Sequence, residues 1–434
     1  MIRIVACSLM VIPAMASAAA FLVNTYNVGP RPSGLATADV NGDGKPDLIS
    51  ANNLANTFSV LTNDGSGGFG SHATLVVGSG PLAVIAADVN GDGKPDLISA
   101  DNLANTLTVL TNNGTGVFSS NATLAVGSYP AFVAAADLNG DGKPDLISVN
   151  NAAHTLTVLT NRGQGSFGSN ATLSVGSRPY CVVAADVNGD TKLDLISANY
   201  DASTLTVLTN NGGGGFGFQA TLTVGTGPEF VVAADVNTDG QLDLVSANYD
   251  ANTLTVLTNN GSGGFCFQTT LAVNGYPNSV LAADINNDGK LDLISANLSI
   301  FPNPGTVLVL TNNGSGGFGS NGVVKVGLQP FSLTSADVNG DGRLDLATAN
   351  FGDNTLTVLT QTGESWPVLA ITATSSNTVL VSWPLLATGF VLQATTSLSG
   401  TNWGTAGYPI TTNGATMSIN ILPAPNRLFF RLKK

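Results

Sequence analysis

One acidic segment returns along the chain at a nearly fixed spacing. "ADVNGDGKPDLIS", whose motif begins at Asp39, recurs with small changes from Asp88, Asp137, Asp186, Asp235, Asp284 and Asp337, giving seven copies separated by five intervals of 49 residues and one of 53. A period of this length restricts the fold to units that stack or close on one another, because a single unit of that size cannot bury its own apolar face. The longer interval carries four extra residues around Phe301 to Pro304, and an insertion at that point marks a lengthened surface turn.

Each unit reads as four strands. In the second copy they are expected as strand a over Leu82 to Ala87, the acidic loop, strand b over Leu97 to Ala100, strand c over Thr106 to Thr111, and strand d over Thr123 to Val126. A Gly-rich turn between c and d ends on a recurring phenylalanine: Phe69, Phe118, Phe167, Phe216, Phe265 and Phe318. Leu and β-branched residues fill the strands on both faces, as sheets covered on both sides require. Four-stranded sheets packed face to face around an axis make a β-propeller. The last copy lacks the Gly-rich turn, the Phe and strand d, while "TYNVG" at Thr25 to Gly29 matches the strand-d segment "ATLVVG" at Ala73 to Gly78. The N-terminus is therefore expected to complete the seventh blade and remove the open edge.

The acidic loop has carboxylates at positions 1, 5 and 9 and Asn at position 3, with position 7 contributing its backbone carbonyl. The candidate metal residues are Asp39, Asn41, Asp43, Lys45 and Asp47; Asp88, Asn90, Asp92, Lys94 and Asp96; and Asp137, Asn139, Asp141, Lys143 and Asp145. The fourth and fifth loops supply Asp186, Asn188, Asp190, Lys192 and Asp194, then Asp235, Asn237, Asp239, Gln241 and Asp243. The last two supply Asp284, Asn286, Asp288, Lys290 and Asp292, then Asp337, Asn339, Asp341, Arg343 and Asp345. Hard oxygens at alternate positions of a curled loop suit Ca²⁺, as in the first half of an EF-hand loop with Asp at position 9 in place of the bidentate Glu. The competing reading is an Asx-rich turn without metal, against which stands the repulsion of three converging carboxylates in every loop. These loops hold 21 of the 28 acidic residues. Loss of Arg3 with a signal peptide would leave a net charge of −14, which seven divalent ions would cancel. The fourth loop is expected to bind most weakly, because Thr191 stands where the others have Gly and a β-branched residue resists positive φ.

"DVNGDGKPDL" and "GSGGFG" resemble the FG-GAP, or VCBS-type, repeats that build the seven-bladed calcium-binding propeller at the head of integrin α-chains. The resemblance covers roughly Phe21 to Gly363 and implies an all-β, seven-bladed β-propeller carrying up to seven structural calcium ions. It leaves function open, because this fold hosts adhesion proteins, lectins and polysaccharide-acting enzymes.

Little else in the chain carries chemistry. The two histidines, His72 and His154, fall in different blade contexts, and no nucleophile elbow, HExxH pair, P-loop or dinucleotide fingerprint is present. The expectation is a non-enzyme, with a polysaccharide lyase or hydrolase and a purely structural surface protein as the alternatives. An acidic chain with 15 basic residues lacks the clustered cations that a nucleic-acid partner needs. Recognition is instead expected where the blades differ. In a propeller the d–a and b–c turns share the face opposite the acidic loops. The residue before the d–a proline reads Arg31, Gly80, Tyr129, Arg178, Gly227, Tyr276 and Gln329, and the matching b–c position reads Asn53, Asn102, Asn151, Tyr200, Tyr249, Leu298 and Phe351. Arg31, Tyr129, Arg178, Tyr276, Gln329, Tyr200, Tyr249 and Phe351 are the candidate ligand face for an extracellular glycan or protein. Taken singly, each is an ordinary solvated turn residue.

Residues 1–20, with Arg3, an apolar run from Ile4 to Ala16 and the triplet Ala16-Ser17-Ala18, read as a secretory signal peptide. The product is expected to be secreted, extracellular or on the cell surface, monomeric, and without a later membrane span. Cys181 and Cys266 fall at different places in the repeat and are expected to be two buried free thiols. From 366 to 434 the acidic loop stops, and "TVLVSWP" with Trp383 looks like a fibronectin type III strand in a small β-sandwich. Its strands are expected at Leu369 to Thr374, Thr378 to Trp383, Phe390 to Thr395, Met417 to Leu422 and Leu428 to Leu432. The final basic residues, Arg427, Arg431, Lys433 and Lys434, read as a solvated tail or a sorting signal.

Overall fold

The computed structural model describes residues 21–300 and 302–362 and, beyond these, 370–373, 379–384, 391–395, 404–405, 407, 409–413, 416–421 and 429–433. The expected signal peptide, and Arg427 and Lys434, lie outside the described residues. Phe21–Thr362 form one compact unit, and the described residues beyond Gly363 belong to a second. No helix among the described residues is long and apolar enough to cross a membrane.

The first unit is seven antiparallel sheets of four strands each. Blade 1 runs through strands a to d as Pro32–Ala38, Asp47–Asn52, Thr57–Asn63 and Phe69–Val76, and five further blades repeat it in chain order. Blade 7 takes strands a to c from Pro330–Ala336, Asp345–Asn350 and Thr355–Gln361, and its outer strand is the N-terminal Phe21–Asn27, paired from Phe21 opposite Gln361 to Asn27 opposite Thr355. Successive a strands pack side by side, and that of blade 7 packs against that of blade 1, where Thr37 Oγ1 lies 3.4 Å from Thr334 Oγ1. The chain is thus a closed seven-bladed β-propeller.

Position within a blade explains composition. Strand b is buried at every residue in all seven blades, because strands flank it on both edges and neighbouring blades cover both faces. Its apolar pair, Leu48 and Ile49 in blade 1, is worth about 1.5–3 kcal/mol per fully buried side chain, and Asp47, Ser50 and Asn52 of the same strand are buried beside it. Strand d is the outer edge, and its side chains alternate between half-buried and exposed. The core lies between the sheets: Ile49, Phe58 and Val60 of blade 1 close on Val84, Leu97 and Leu110 of blade 2, and Leu35 and Leu48 of blade 1 on Val338, Leu356 and Val358 of blade 7.

A polar lock repeats around this ring. The residue ending strand c sends its side-chain amide to the loop of the preceding blade, as Asn112 Nδ2 donates to the Val40 carbonyl at 2.9 Å and Asn63 Nδ2 to that of Val338 at 2.8 Å. In blade 7 the longer Gln361 does the same to Ile285 at 2.7 Å.

Two expectations need correction here. Strand d is longer than the sequence pattern indicated, running Phe118–Ala125 in blade 2, because the recurring Phe opens the strand and a bulge after Val109 interrupts the alternation. The bulged residue is used: Asn121 Nδ2 reaches the Gly165 carbonyl of the next blade at 2.8 Å. Cys181 is a buried thiol but Cys266 is exposed, since it lies on an outer strand, Phe265–Ala272.

The second unit contains a four-stranded sheet ordered Ala370–Ala373, Val379–Pro384, Thr416–Ile421, Thr411–Asn413 and a three-stranded sheet ordered Gly404–Thr405, Val391–Thr395, Phe429–Lys433. Val381 and Ile419 of one sheet and Leu392 of the other are buried. The strands at 404–405 and 411–413 are too short to leave a pattern. Arg431 and Lys433 stand in a paired strand rather than a solvated tail, Arg431 opposite Gln393.

Candidate functional site

All seven acidic loops take one conformation, and their own hydrogen bonds explain it. The position-1 carboxylate accepts the N–H of position 6 at 2.7–2.8 Å in every blade. Position 3 accepts from position 5 at 2.8–3.0 Å, and position 5 from position 7 at 2.8–3.1 Å. Curling this tightly puts positions 4 and 6 at positive φ, as at Gly42 (+77°) and Gly44 (+80°), where glycine has no Cβ to clash. Thr191 is held at φ +68° and still donates to Asp186 Oδ2 at 2.7 Å. The fourth loop therefore matches the others in shape and bears backbone strain at position 6, as the fifth and sixth bear it at position 4 through Thr238 (φ +62°) and Asn287 (φ +58°).

The position-9 aspartate has a structural task. Asp47 is fully buried; its Oδ1 accepts from the N–H of Asn63 at 2.9 Å and its Oδ2 from that of Val40 at 3.1 Å. Burial raises its pKa first, and the charges of Asp43 and Asp39 raise it further. In the sixth loop Asp292 Oδ2 is buried with no hydrogen-bond partner, and burial carries that carboxyl to about 6. Lysines at position 7 stand 3.3–3.9 Å from the position-5 carboxylate in five loops. Among the described residues no three carboxylate, imidazole or thiolate groups are gathered closely enough to share one ion. The set at positions 1, 3, 5 and 7, oxygens only, remains chemically suited to Ca²⁺, whereas the position-9 carboxylate, as at Asp47, gives both oxygens to backbone N–H groups.

On the opposite face the d–a and b–c turns are stitched together. The b–c residue donates its N–H to the carbonyl of the residue before the d–a proline, as Tyr200 does to Arg178 at 2.9 Å, Tyr249 to Gly227 at 2.7 Å and Phe351 to Gln329 at 3.0 Å. Arg31, Tyr129, Arg178 and Gln329 all have φ between +51° and +57°, a conformation costly for side chains with a Cβ. The preceding blade caps three of these N–H groups: Asn354 Oδ1 accepts from Arg31 at 2.9 Å, Asn105 Oδ1 from Tyr129 at 2.8 Å, and His154 Nδ1 from Arg178 at 3.0 Å. His154 is thus an asparagine substitute at a turn.

Two groups of candidate residues come together. Arg31 lies 5.4 Å over the Phe351 ring, which stacks on Phe331 at 5.3 Å. The larger group is a ladder in which Tyr180, Tyr200, Tyr249 and Tyr276 follow one another at centroid spacings of 5.4, 6.4 and 5.1 Å. Arg178 caps it 5.0 Å over Tyr200, with Nη1 3.2 Å from Asp201 Oδ1 and Nη2 2.9 Å from the Tyr180 hydroxyl. Burial and a hydrogen bond to Asp250 push the Tyr200 phenol up. Tyr129 stays exposed nearby, and Gln329 contributes its backbone. Sequence reasoning missed Tyr180, Phe331 and Glu229, which follow the d–a proline. The signal was available, since that position reads Ser33, Leu82, Ala131, Tyr180, Glu229, Asn278 and Phe331 around the ring.

The FG-GAP-like repeat model matches five overlapping stretches, residues 39–99, 88–148, 137–197, 186–246 and 235–295. Among solved structures, the chain is similar to BBS1N in complex with ARL6DN, with a TM-score of 0.59 and 12% identity over 80% of this chain and 98% of that one. A protein from Lactobacillus plantarum aligns with a TM-score of 0.52 and 17% identity over 68% and 85% of the two chains. A functionally unknown protein from Desulfotomaculum acetoxidans DSM 771 gives 0.55 and 13% over 71% and 90%. At such identities the likeness is one of fold alone. No curated protein matches the sequence.

Proposed function

The chain belongs to the FG-GAP-like repeat family, and from that premise we propose that it is an exported, calcium-binding propeller acting as a binding module for an extracellular glycan or protein. The observation that carries this reading is the contrast between the two faces: the acidic loops are alike in seven blades, whereas the opposite turns differ from blade to blade and concentrate rings and charges. Repeated positions hold the scaffold; unlike ones are free for recognition. BBS1N, a similar propeller, is in complex with the protein ARL6DN, which supports a protein partner as one form of that ligand.

Calcium would be held by the position-1, -3 and -5 side chains and the position-7 carbonyl of each loop. Its contribution is counter-charge to loops whose curl their own hydrogen bonds set, with no part in catalysis. Export rests on the N-terminal sequence. The test is a glycan array and an affinity pull-down with the intact chain in calcium, repeated with Tyr129, Arg178 and Tyr276 together replaced by Ala. A specific ligand lost in the triple variant is expected; binding that survives unchanged contradicts this face as the site. A screen for calcium-dependent release of reducing ends from polysaccharides is expected to find no turnover, and turnover would replace this reading with an enzyme.

A further inference from the structure

The tyrosine ladder gathers more carboxyl groups than cations among the described residues. Seven carboxylates lie outside the acidic loops, and three of them, Asp201, Glu229 and Asp250, meet on this stretch of rim. Arg178 is the cation that faces them, and Asp201 and the Tyr180 hydroxyl occupy its guanidinium. Glu229, at the head of strand a of blade 5 (Pro228–Ala234), lies close enough to Tyr180, Tyr200 and Tyr249 for its charge to raise all three phenols. Its carboxyl makes no hydrogen bond or ion pair among the described residues. Burial first, and then Asp250, carry it to about 8 against the opposing pull of Arg178. Ring faces add their own attraction for cations.

Past Tyr276, the last ring, the track continues into an open groove of about 500 Å³ lined by Asn252, Leu298, Ser299, Ile300 and Asn303. Asn303, which belongs to the insertion of blade 6, forms part of its wall. The adjoining turns close on themselves through the Tyr200–Arg178 and Tyr249–Gly227 backbone bonds, so those backbone groups are not open to a joining peptide strand. Phenol hydroxyls, amides and a serine suit instead a chain rich in hydroxyl groups.

We infer that this track binds a glycan bearing free amino groups, a polymer of deacetylated hexosamine, with an ammonium against Glu229 and Asp250 and the following sugars along Tyr249, Tyr276 and the groove. The inference rests on the ligand-face reading above and adds the charge of the ligand. It is tested by calorimetric titration of the intact chain in calcium with four probes: a β-1,4-glucosamine oligomer, its N-acetylated form, a glucose oligomer of equal length, and tetralysine. The glucosamine oligomer should bind about tenfold tighter than the acetylated one, the worth of one charge-assisted hydrogen bond in a partly desolvated site. Glu229→Gln, and separately the exposed Asp250→Asn, should each reduce that preference, with the thermal midpoint of each variant showing that it folds. Equal or tighter binding of the acetylated oligomer or of tetralysine overturns the inference, as does a preference untouched by both variants. Binding of the glucose oligomer alone overturns it while leaving a glycan-binding face in place, whereas failure of every saccharide removes the glycan half of the broader reading as well.

Discussion

Thr191 occupies a left-handed position at φ +68° where the other six loops have Gly. The left-handed conformation costs an L-residue about 1–2 kcal/mol, offset in part by the extra freedom glycine has in the unfolded chain. Thr191→Gly is therefore expected to stabilise the propeller by about 1 kcal/mol, read as a higher urea midpoint at unchanged slope; a lower midpoint contradicts strain at this loop. Glu229 predicts a pH dependence of the opposite kind from a paired carboxylate. Its folded pKa is raised to about 8, so between the ordinary glutamate range and pH 8 the folded chain holds a proton the unfolded chain has released. Stability from this group is complete below the unfolded pKa and declines as pH rises to 8. Glu229→Gln should accordingly gain on wild type from pH 5 to pH 8 in parallel denaturant titrations, and a constant difference would show that the carboxyl ionises normally. Residues such as these were only half legible. Thr191 breaks a repeat and announces itself, whereas Glu229 draws its character from burial and from Asp250 and Arg178, which other turns contribute.

The strand c–loop lock belongs to the element scale. Asn112 donates to the buried carbonyl of Val40 at 2.9 Å and the half-buried one of Pro95 at 3.2 Å, so Asn112→Ala leaves both without that donor and should cost about 2–3 kcal/mol in chemical unfolding; a loss below about 0.5 kcal/mol would make the lock incidental. The outer strand Phe21–Asn27 is what completes blade 7. A chain beginning after Asn27 should melt lower and associate through the bared edge of Thr355–Gln361, measured by light scattering beside calorimetry; an unaltered, monomeric melt would show closure to be dispensable. Strands a to c were legible because their side chains follow burial that repeats in every blade. Strand d was cut short because the bulge at Asn121 breaks alternation at the point where the pattern is read. Cys266 was misjudged for a related reason: a thiol on an outer strand has no apolar layer above it.

At the scale of the molecule, low charge and abundant glycine are the composition of one blade written seven times, and ring closure follows from strand Phe21–Asn27 joining the two chain ends of the propeller. The acidic loops were found by their spacing, but the division of labour inside them was not. Asp47 is a buried strap between Val40 and Asn63, a role set by a strand c that lies 16 residues on. Calcium in these loops is the claim on which the working charge of the chain rests. Thermal unfolding of the intact chain in calcium and in excess chelator tests it most directly. Binding to the folded state alone must raise stability, so the midpoint should be clearly higher in calcium; the same midpoint in both solutions would contradict it.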